Sequence, residues 1–337
     1  MIRYVEQKSF DQKFVSQWLN VSSYRNHWTN YGPIAQLLES SVRIQLNIPD
    51  DKAVIATASG DAALRAAVLA MAPNQRWLIS SFTFACQLQL PAELIVCDCN
   101  QHGYIDLPET TNACGLIVTD LFGFTRDRDK YIQYAKKHNL FLLFDSAACY
   151  GAKWNDQYIG CDGNATVFSF HHTKPMGFGE GGCLIIDKKF EDHARAAINF
   201  GINVDALANL GFNGKISDLS AVYIVDRIRN LVAIQQDYSK QYARIKQIAT
   251  QLKIDCYLPD EKCIPLPSCV PLLFRHSISP TQLENPYIIL QKYYKPLVDT
   301  PLACSLYESI VCFPCHPGLS IINDKIIERL LYELSCL

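Results

Sequence analysis

Residues 168–182 read FSFHHTKPMGFGEGG, and this stretch decides how the chain is interpreted. It starts in an apolar run at 165–170, contains one lysine, Lys174, and continues into a turn with four glycines. Lysine is the side chain that forms Schiff bases with carbonyl compounds. Glycines allow the backbone to bend close to a ligand. The stretch therefore predicts a strand followed by a glycine-rich loop that carries Lys174. Taken alone, a lysine beside such a loop is usually a solvated side chain, and further residues are needed to indicate a bound molecule.

Short apolar runs alternate with amphipathic segments on both sides of this stretch. The predicted strands are 53–57, 77–81, 94–97, 115–119, 140–144, 165–170 and 183–186. The predicted helices lie near 34–42, 62–71, 127–138, 217–254 and 323–335. The strand candidates are apolar throughout, which is typical of strands covered on both faces in a mainly parallel sheet. The pattern predicts an α/β fold.

The pattern changes beyond about residue 217, where one long or broken helix is followed by proline-rich pieces and a last helix. We therefore predict two domains. The large α/β domain, with the mainly parallel sheet, covers residues 1–225. A smaller C-terminal α+β domain covers residues 226–337.

Asp145 comes directly after the apolar run LFLLF. Ligands of open α/β sheets bind beyond the carboxyl ends of the strands. An aspartate there can pair with a protonated ring nitrogen, which pyridoxal 5'-phosphate (PLP) needs as an electron sink. Taken alone, Asp145 is better explained as an ordinary turn aspartate at a strand end.

Two further features follow predicted strands. Ser59, Gly60 and Asp61 connect the strand 53–57 to the next helix, and a turn at a helix N-terminus is an anion site. Phe84 follows the strand 77–81, where its ring could stack on a cofactor or pack in the core. Together with Lys174 and Asp145, these residues predict a PLP site.

The chain resembles the DegT/DnrJ/EryC1/StrS sugar aminotransferases, a branch of the fold-type I PLP enzymes. Five motifs in order carry the resemblance, which begins at TNYGPIAQLLE (29–39) and runs to about residue 230. They are ASGDAAL (58–64), SSFTFAC (80–86), FDSAACYGA (144–152), FSFHHTKPMGFGEGG (168–182) and GFNGKISDLSAV (211–222). One such motif is a weak signal, whereas five in the same order are specific.

The resemblance implies roles at the ring end of the cofactor. Lys174 matches the Schiff-base lysine and Asp145 the partner of the pyridinium nitrogen. Phe84 matches an aromatic residue that stacks on the ring, and Ala147 falls among the cofactor contacts.

At the phosphate end, the resemblance implies contacts from Ser169 and from the turn Gly60–Asp61. Asn213 matches an asparagine that reaches the phosphate from the other subunit, which implies a homodimer with shared active sites. On the substrate side, the resemblance implies Tyr31 and His316. The segment FPCHP, which includes His316, would place that histidine near the mouth of the active site.

Three positions depart from the family pattern. Asp61 stands where the phosphate turn usually has threonine, and a carboxylate repels a phosphate dianion. An alternative interpretation of Asp61 is a helix N-cap, for which aspartate is well suited. Ala148 replaces a histidine or glutamine near the ring hydroxyl. Lys215 replaces an arginine, which keeps the charge but loses the bidentate fork.

The family transfers an amino group, usually from glutamate, to a keto group on a nucleotide-linked sugar, and we expect this activity here. A PLP sugar dehydratase is an alternative, but that branch has histidine in place of Lys174. A non-catalytic dimeric scaffold with a degraded PLP site is a second alternative, which Asp61 and Ala148 favour.

The composition is compatible with such an enzyme. The 337 residues are 49% hydrophobic and carry a net charge of -2, which does not indicate nucleic acid or an anionic membrane as a partner. The N-terminus has no signal-peptide pattern, and we expect a cytoplasmic protein whose fourteen cysteines are reduced. The pattern Cys312-x-x-Cys315-His316 is the attachment pattern of c-type haem, but without an export signal we do not expect haem.

Overall fold

A computed structural model describes all 337 residues of the chain. The helices are α1 Gln12–Arg25, α2 Pro33–Leu46, α3 Gly60–Met71, α4 Arg128–His138, α5 Glu191–Ala197, α6 Asp218–Arg229, α7 Leu231–Gln251, α8 Pro301–Ser309 and α9 Asp324–Ser335. The strands are β1 Lys52–Thr57, β2 Arg76–Ser80, β3 Glu93–Cys97, β4 Gly115–Thr119, β5 Phe141–Asp145, β6 Lys153–Trp154, β7 Gln157–Tyr158, β8 Ala165–Ser169, β9 Gly182–Asp187, β10 Asp255–Cys256, β11 Cys263–Ile264, β12 Cys269–Leu273 and β13 Ile310–Pro314.

A seven-stranded sheet forms the centre of the fold, with the strand order β1-β9-β8-β5-β4-β2-β3. The neighbours from β8 to β3 are parallel, and β9 runs antiparallel to both β8 and β1. All seven predicted strands are confirmed, and each bound lies within one residue of the prediction. The carboxyl ends of β1, β2, β4, β5 and β8 therefore meet at one edge of the sheet.

The sheet is covered on both faces, which explains why its strands are continuously apolar. In β1, Val54 and Ala56 pack into a core with α2 and α6. The alternate residues Ala53 and Ile55 pack into a second core with α3. Successive side chains of a strand point to opposite faces, so the four central residues of β1 are apolar on both faces, and its buried polar residues, Lys52 and Thr57, stand at the strand ends.

The predicted long or broken helix is two helices, α6 and α7, which meet at Asn230. The predicted domain boundary between residues 225 and 226 falls inside α6, and the division into two domains stays a prediction. No helix of the structure is long and apolar enough to span a membrane.

The proline-rich region contains a strand that the sequence pattern does not indicate. β12 lies between β10 and β13 in a three-stranded antiparallel sheet, with Pro271 inside it. Proline has no N–H to donate and is rare in central strands. The Pro271 carbonyl still accepts a hydrogen bond from the Tyr257 backbone N–H at 2.9 Å, so the strand keeps part of its pairing.

Candidate active site

A pocket of about 400 Å³ lies at the carboxyl edge of the large sheet. Seven of the predicted site residues line it, namely Gly60, Asp61, Phe84, Asp145, Ala147, Ser169 and Lys174. They come from four strand ends that are far apart in sequence. Parallel strands bring their carboxyl ends together, and this topology assembles the site.

Lys174 lies on the loop after β8, half-buried in the pocket wall. The loop is tightly turned, since the Lys174 N–H donates to the His171 carbonyl at 2.9 Å and the Gly177 N–H donates to the Lys174 carbonyl at 3.0 Å. A Cβ at Gly177 would stand 1.9 Å from the His171 carbonyl oxygen, so only glycine fits there. Burial lowers the pKa of the Lys174 amine, and the nearby Asp145 partly opposes this shift. Lys174 is therefore closer to its neutral, nucleophilic form than a solvated lysine.

Asp145 is the last residue of β5 and only 5% of it is exposed. Its Oδ2 accepts a hydrogen bond from the Gln87 side-chain amide at 2.7 Å, and its Oδ1 accepts one from the Ala147 N–H at 3.3 Å. Burial raises the pKa of Asp145, while these two hydrogen bonds and Lys174 lower it. The carboxylate is thus fixed in direction inside a poorly solvated pocket wall.

Gln87 is a site residue that sequence reasoning missed. It lies in a short 3-10 helix, Ala85–Gln89, and its side chain is buried. Besides Asp145, its amide donates to the Thr119 hydroxyl at 3.0 Å, which in turn pairs with the Thr83 hydroxyl at 2.7 Å. Glutamines within the otherwise apolar segment CQLQLP indicate that a polar side chain could serve the site. The sequence does not show that Gln87 is buried and Gln89 exposed.

The turn at the start of α3, which was predicted to contact a phosphate, has a different N-cap from the one considered for it. Ser59 is the N-cap, since its hydroxyl accepts a hydrogen bond from the Ala62 N–H at 3.0 Å. The interpretation of Asp61 as the N-cap is therefore wrong, because the serine two residues earlier already has the extended backbone and the acceptor that a cap requires. Asp61 lies exposed in the first turn of α3 and lines the pocket. Burial, Asp145 and Asp61 together raise the pKa of the Cys86 thiol, which places the Asp61 charge beside the pocket wall.

Ser169 lies directly against this turn, because a Cβ added to Gly60 would stand 2.7 Å from the Ser169 Cβ. The Ser169 hydroxyl also accepts a hydrogen bond from the His171 N–H at 3.2 Å. Gly60 is thus needed for the close approach of α3 to the end of β8. The two predicted phosphate contacts are neighbours in the structure.

Phe84 precedes the 3-10 helix and 57% of it is exposed, so a ring face is free at the pocket. Ala148 also lines the pocket, and its methyl group offers no hydrogen bond. Three tyrosines, Tyr4, Tyr293 and Tyr294, contribute to the wall as well. These tyrosines lie outside the five sequence motifs from which the site was predicted.

Three predicted residues lie outside the pocket. Asn213 is exposed and forms a β-bridge with Asn199. Tyr31 donates a hydrogen bond from its hydroxyl to Glu39 at 2.9 Å. His316 is 5% exposed, and its Nε2 lies 2.9 Å from the Arg3 carbonyl oxygen. The expectation that His316 lies at the mouth of the site is not met, because the N-terminal segment covers it.

Two further sequence features have structural explanations. Lys215 lies with its amine 4.6 Å from the centre of the Phe200 ring, and burial lowers its pKa. Cys312 and Cys315, of the haem-like pattern, are fully buried in the core. They are packing residues rather than attachment sites.

The residues present fit PLP at the ring end of the pocket. An amine of lowered pKa, a buried carboxylate and a free aromatic face are the groups that a pyridine aldehyde requires. At the other end, the N-terminus of α3 and Ser169 offer donors for a phosphate, and Asp61 is the one discordant group. A mainly parallel sheet with this arrangement at its carboxyl edge defines the class as a fold-type I, PLP-dependent transferase.

The comparison with known proteins agrees with this class. The chain belongs to the DegT/DnrJ/EryC1/StrS aminotransferase family, whose pattern it matches over residues 11–263. It is 23% identical to UDP-4-amino-4,6-dideoxy-N-acetyl-beta-L-altrosamine transaminase of Campylobacter jejuni, over 82% of this chain and 84% of that protein.

Solved structures show the same fold. The Helicobacter pylori aminotransferase PseC, involved in the biosynthesis of pseudoaminic acid, superimposes with a TM-score of 0.83 at 18% identity, over 97% of this chain and 97% of that one. A DegT DnrJ EryC1 StrS aminotransferase from Brucella abortus gives a TM-score of 0.82 at 19% identity, over 96% of both chains. At these identities, the likeness establishes the fold.

Proposed function

We propose that this chain is an aminotransferase that moves an amino group, from glutamate, to a keto group on a nucleotide-linked sugar. The observation that carries the proposal is the convergence of Lys174 and Asp145 in one pocket at the carboxyl edge of the sheet. Membership of the family supports the reaction class. The Campylobacter jejuni relative, named for a UDP-linked amino sugar, supports the substrate class.

PLP, when bound, supplies an electron sink that stabilises negative charge on the carbon from which a proton is removed. In the proposal, Lys174 holds the cofactor through its amine. When it is not bonded to the cofactor, the Lys174 amine would accept a proton as a general base and return it as a general acid. A lowered pKa suits this task, because the amine must both accept and release a proton near neutral pH.

Asp145 would accept a hydrogen bond from the protonated ring nitrogen. Gln87 and Ala147 hold its two oxygens, so the carboxylate does not have to reorganise during the reaction. Phe84 would stack on the ring, and the α3 N-terminus with Ser169 would bind the phosphate. Asp61 would weaken that last contact.

The proposal includes a homodimer with shared active sites. Asn213 is exposed and lies outside the pocket of its own chain, as a residue serving a second subunit would. Size-exclusion chromatography with light scattering measures the assembly. A monomer that still transfers amino groups would contradict the shared site.

The main test is chemical. Purified protein incubated with PLP should absorb light near the boundary between the ultraviolet and visible ranges. Borohydride reduction followed by peptide mapping should place the label on Lys174. Lys174→Ala should remove the label and the activity while the circular dichroism spectrum is unchanged, because only the amine is lost from the pocket wall. Lys13→Ala, on the exposed face of α1, is the matched control. Label on another lysine would refute the assignment.

A non-catalytic scaffold is the second candidate, and the exposed carboxylate of Asp61 at the phosphate turn favours it. Titration of PLP into the purified protein, followed by borohydride reduction, separates the two functions. Saturable binding of PLP with label on Lys174 supports the enzyme. Absence of binding in both wild type and Asp61→Thr supports the scaffold.

A further inference from the structure

The first eleven residues form an ordered strap across the pocket. Ile2 pairs with Ile288 in the C-terminal part of the chain, and Tyr4 lines the pocket itself. Glu6 accepts a hydrogen bond from Arg227 of α6 at 2.9 Å. The strap therefore joins the C-terminal region, the pocket and α6, and it passes beside the loop that carries Lys174.

Lys8 is the residue of the strap that contacts this loop. Its amine donates to the carbonyl oxygens of His172 and Lys174, both at 2.6 Å, and to that of Gly177. An ammonium has three N–H donors, so these three carbonyls use all of them. Hydrogen bonds from a charged donor are stronger than those from a neutral one. The three bonds from Lys8 therefore fix the backbone of the turn on both sides of Lys174.

A second cation completes the arrangement. The Arg227 guanidinium donates to the Pro175 carbonyl, so Lys8 and Arg227 together bind four carbonyls of the six-residue loop 172–177. Both cations lie near Glu6. The loop thus presents its carbonyls to the strap and to α6, and its lysine side chain to the pocket.

We propose that Lys8 is a positioning residue for Lys174. Its ammonium fixes the backbone of residues 172–177 and thereby the direction from which the Lys174 amine enters the pocket. Lys8 acts through carbonyl oxygens and does not take part in the chemistry. The inference rests on the proposed function, since it concerns the residue that would hold the cofactor.

The ammonium form is the one that binds all three carbonyls, because a neutral amine has only two N–H donors. Burial and the nearby Arg227 lower the pKa of Lys8 to about 7, and Glu6 opposes the shift. His172, whose pKa is lowered by burial and by Lys8, faces it from the loop. The three carbonyl bonds favour the charged form of Lys8 and therefore oppose this lowering of its pKa.

The test compares Lys8→Met with wild type and with Lys13→Met, an exposed lysine of α1 that serves as the matched control. Hydrogen–deuterium exchange is measured on protein without PLP at pH 6.5, a value chosen from the pKa of Lys8. In Lys8→Met, the amides of residues 172–174 and 176–178 should exchange about tenfold faster, which corresponds to about 1.4 kcal/mol for the lost bonds. Those of β9 should be unchanged. Lys13→Met should match wild type.

A second measurement separates positioning from stability. The rate constant for covalent labelling of Lys174 by PLP, trapped with borohydride, should fall several-fold in Lys8→Met, and Lys8→Arg should restore most of it. Should Lys8→Met fail to fold, Lys8→Gln gives the same comparison. Unchanged loop exchange would overturn the proposal. Faster exchange with an unchanged labelling rate would also overturn it, because Lys8 would then only stabilise the loop.

The two proposals fail in different ways. Wild-type protein that is never labelled at Lys174, in the presence of saturating PLP, refutes the proposed function and with it the positioning role. Labelled wild type with no effect of Lys8→Met refutes the positioning role alone. Hydrogen–deuterium exchange needs no cofactor. It measures whether Lys8 stabilises the loop whether or not the protein binds PLP.

Discussion

The two ends of the pocket differ in how far their acidic side chains are buried and hydrogen-bonded. At the ring end, Asp145 is 5% exposed and receives hydrogen bonds from Gln87 and the Ala147 N–H. At the phosphate end, Asp61 lies exposed in the first turn of α3, where its charge opposes that of a phosphate. The ring end has a supporting shell of buried side chains, and the phosphate end depends on a helix N-terminus and Ser169.

The difference shows where the fold tolerates change. A carboxylate in the sheet edge is desolvated and needs fixed donors, so every neighbour of Asp145 is constrained. An exposed side chain on the first turn of a helix keeps its solvation and can be exchanged at little cost to folding. Asp61 is an exposed departure of this kind, whereas Ala148, the departure near the ring hydroxyl, is buried.

The largest effect is expected at the ring end. Asp145→Asn should lower the rate of amino transfer by at least about a hundredfold, because a neutral amide cannot keep the ring nitrogen protonated. Single-turnover kinetics with glutamate measures this. Covalent labelling of Lys174 should persist, because the amine is untouched. An unchanged transfer rate would mean that the two ends of the pocket do not differ in importance.

A smaller effect is expected from the residue that supports Asp145. In Gln87→Leu, Oδ2 of Asp145 loses its donor, and a hydrogen bond to a charged group contributes about 1.5–3 kcal/mol. The pKa of Asp145, already raised by burial, should rise further, because the lost bond favoured the carboxylate. Since the ionised form is the active one, the activity should fall by roughly tenfold on the acid side and recover as the pH increases.

The pH–rate profile of Gln87→Leu tests this prediction. Gln89→Leu is the matched control, since Gln89 lies exposed on the same 3-10 helix. An equal loss of activity at all pH values would contradict the electrostatic role of Gln87 and leave only a packing role.

The smallest effect is expected at the phosphate end. Asp61→Thr should tighten PLP binding several-fold, since two unit charges about 4 Å apart cost roughly 4 kcal/mol at an effective dielectric near 20, and solvent removes most of this. Stability should change little, because Ser59 and not Asp61 caps the helix. Titration of PLP into both proteins measures the difference. Equal and tight binding would show that the Asp61 carboxylate points away from the phosphate.

Much of the fold follows from local pattern. The seven strands were predictable because strands covered on both faces must be continuously apolar. The pocket residues on the loops after β1, β2, β5 and β8 were predictable because parallel strands bring their carboxyl ends together. The strand around Pro271 was not predictable, because its pairing depends on β10 and β13 rather than on its own composition.

The supporting residues of the site could not be found in the sequence. Gln87 and Gln89 are two residues apart, and only packing decides that the first is buried beside Asp145. Lys8 lies 166 positions from Lys174, and nothing in VEQKSF connects it to a glycine-rich turn. The N-cap of α3 depended on which of Ser59 and Asp61 takes the extended backbone, and the structure shows that it is Ser59.

The sequence by itself determined the alternation of apolar strands and amphipathic helices, the order of the motifs and the identity of the chemical groups, Lys174 and Asp145 above all. These features are local, because side-chain type and spacing suffice to specify them. Only the tertiary structure decided how the groups are held: the donors on Asp145, the exposure of Asp61, the burial of His316 and the bonds from Lys8 to the loop of Lys174. These contacts join residues distant along the chain, and their energies depend on the burial that packing creates.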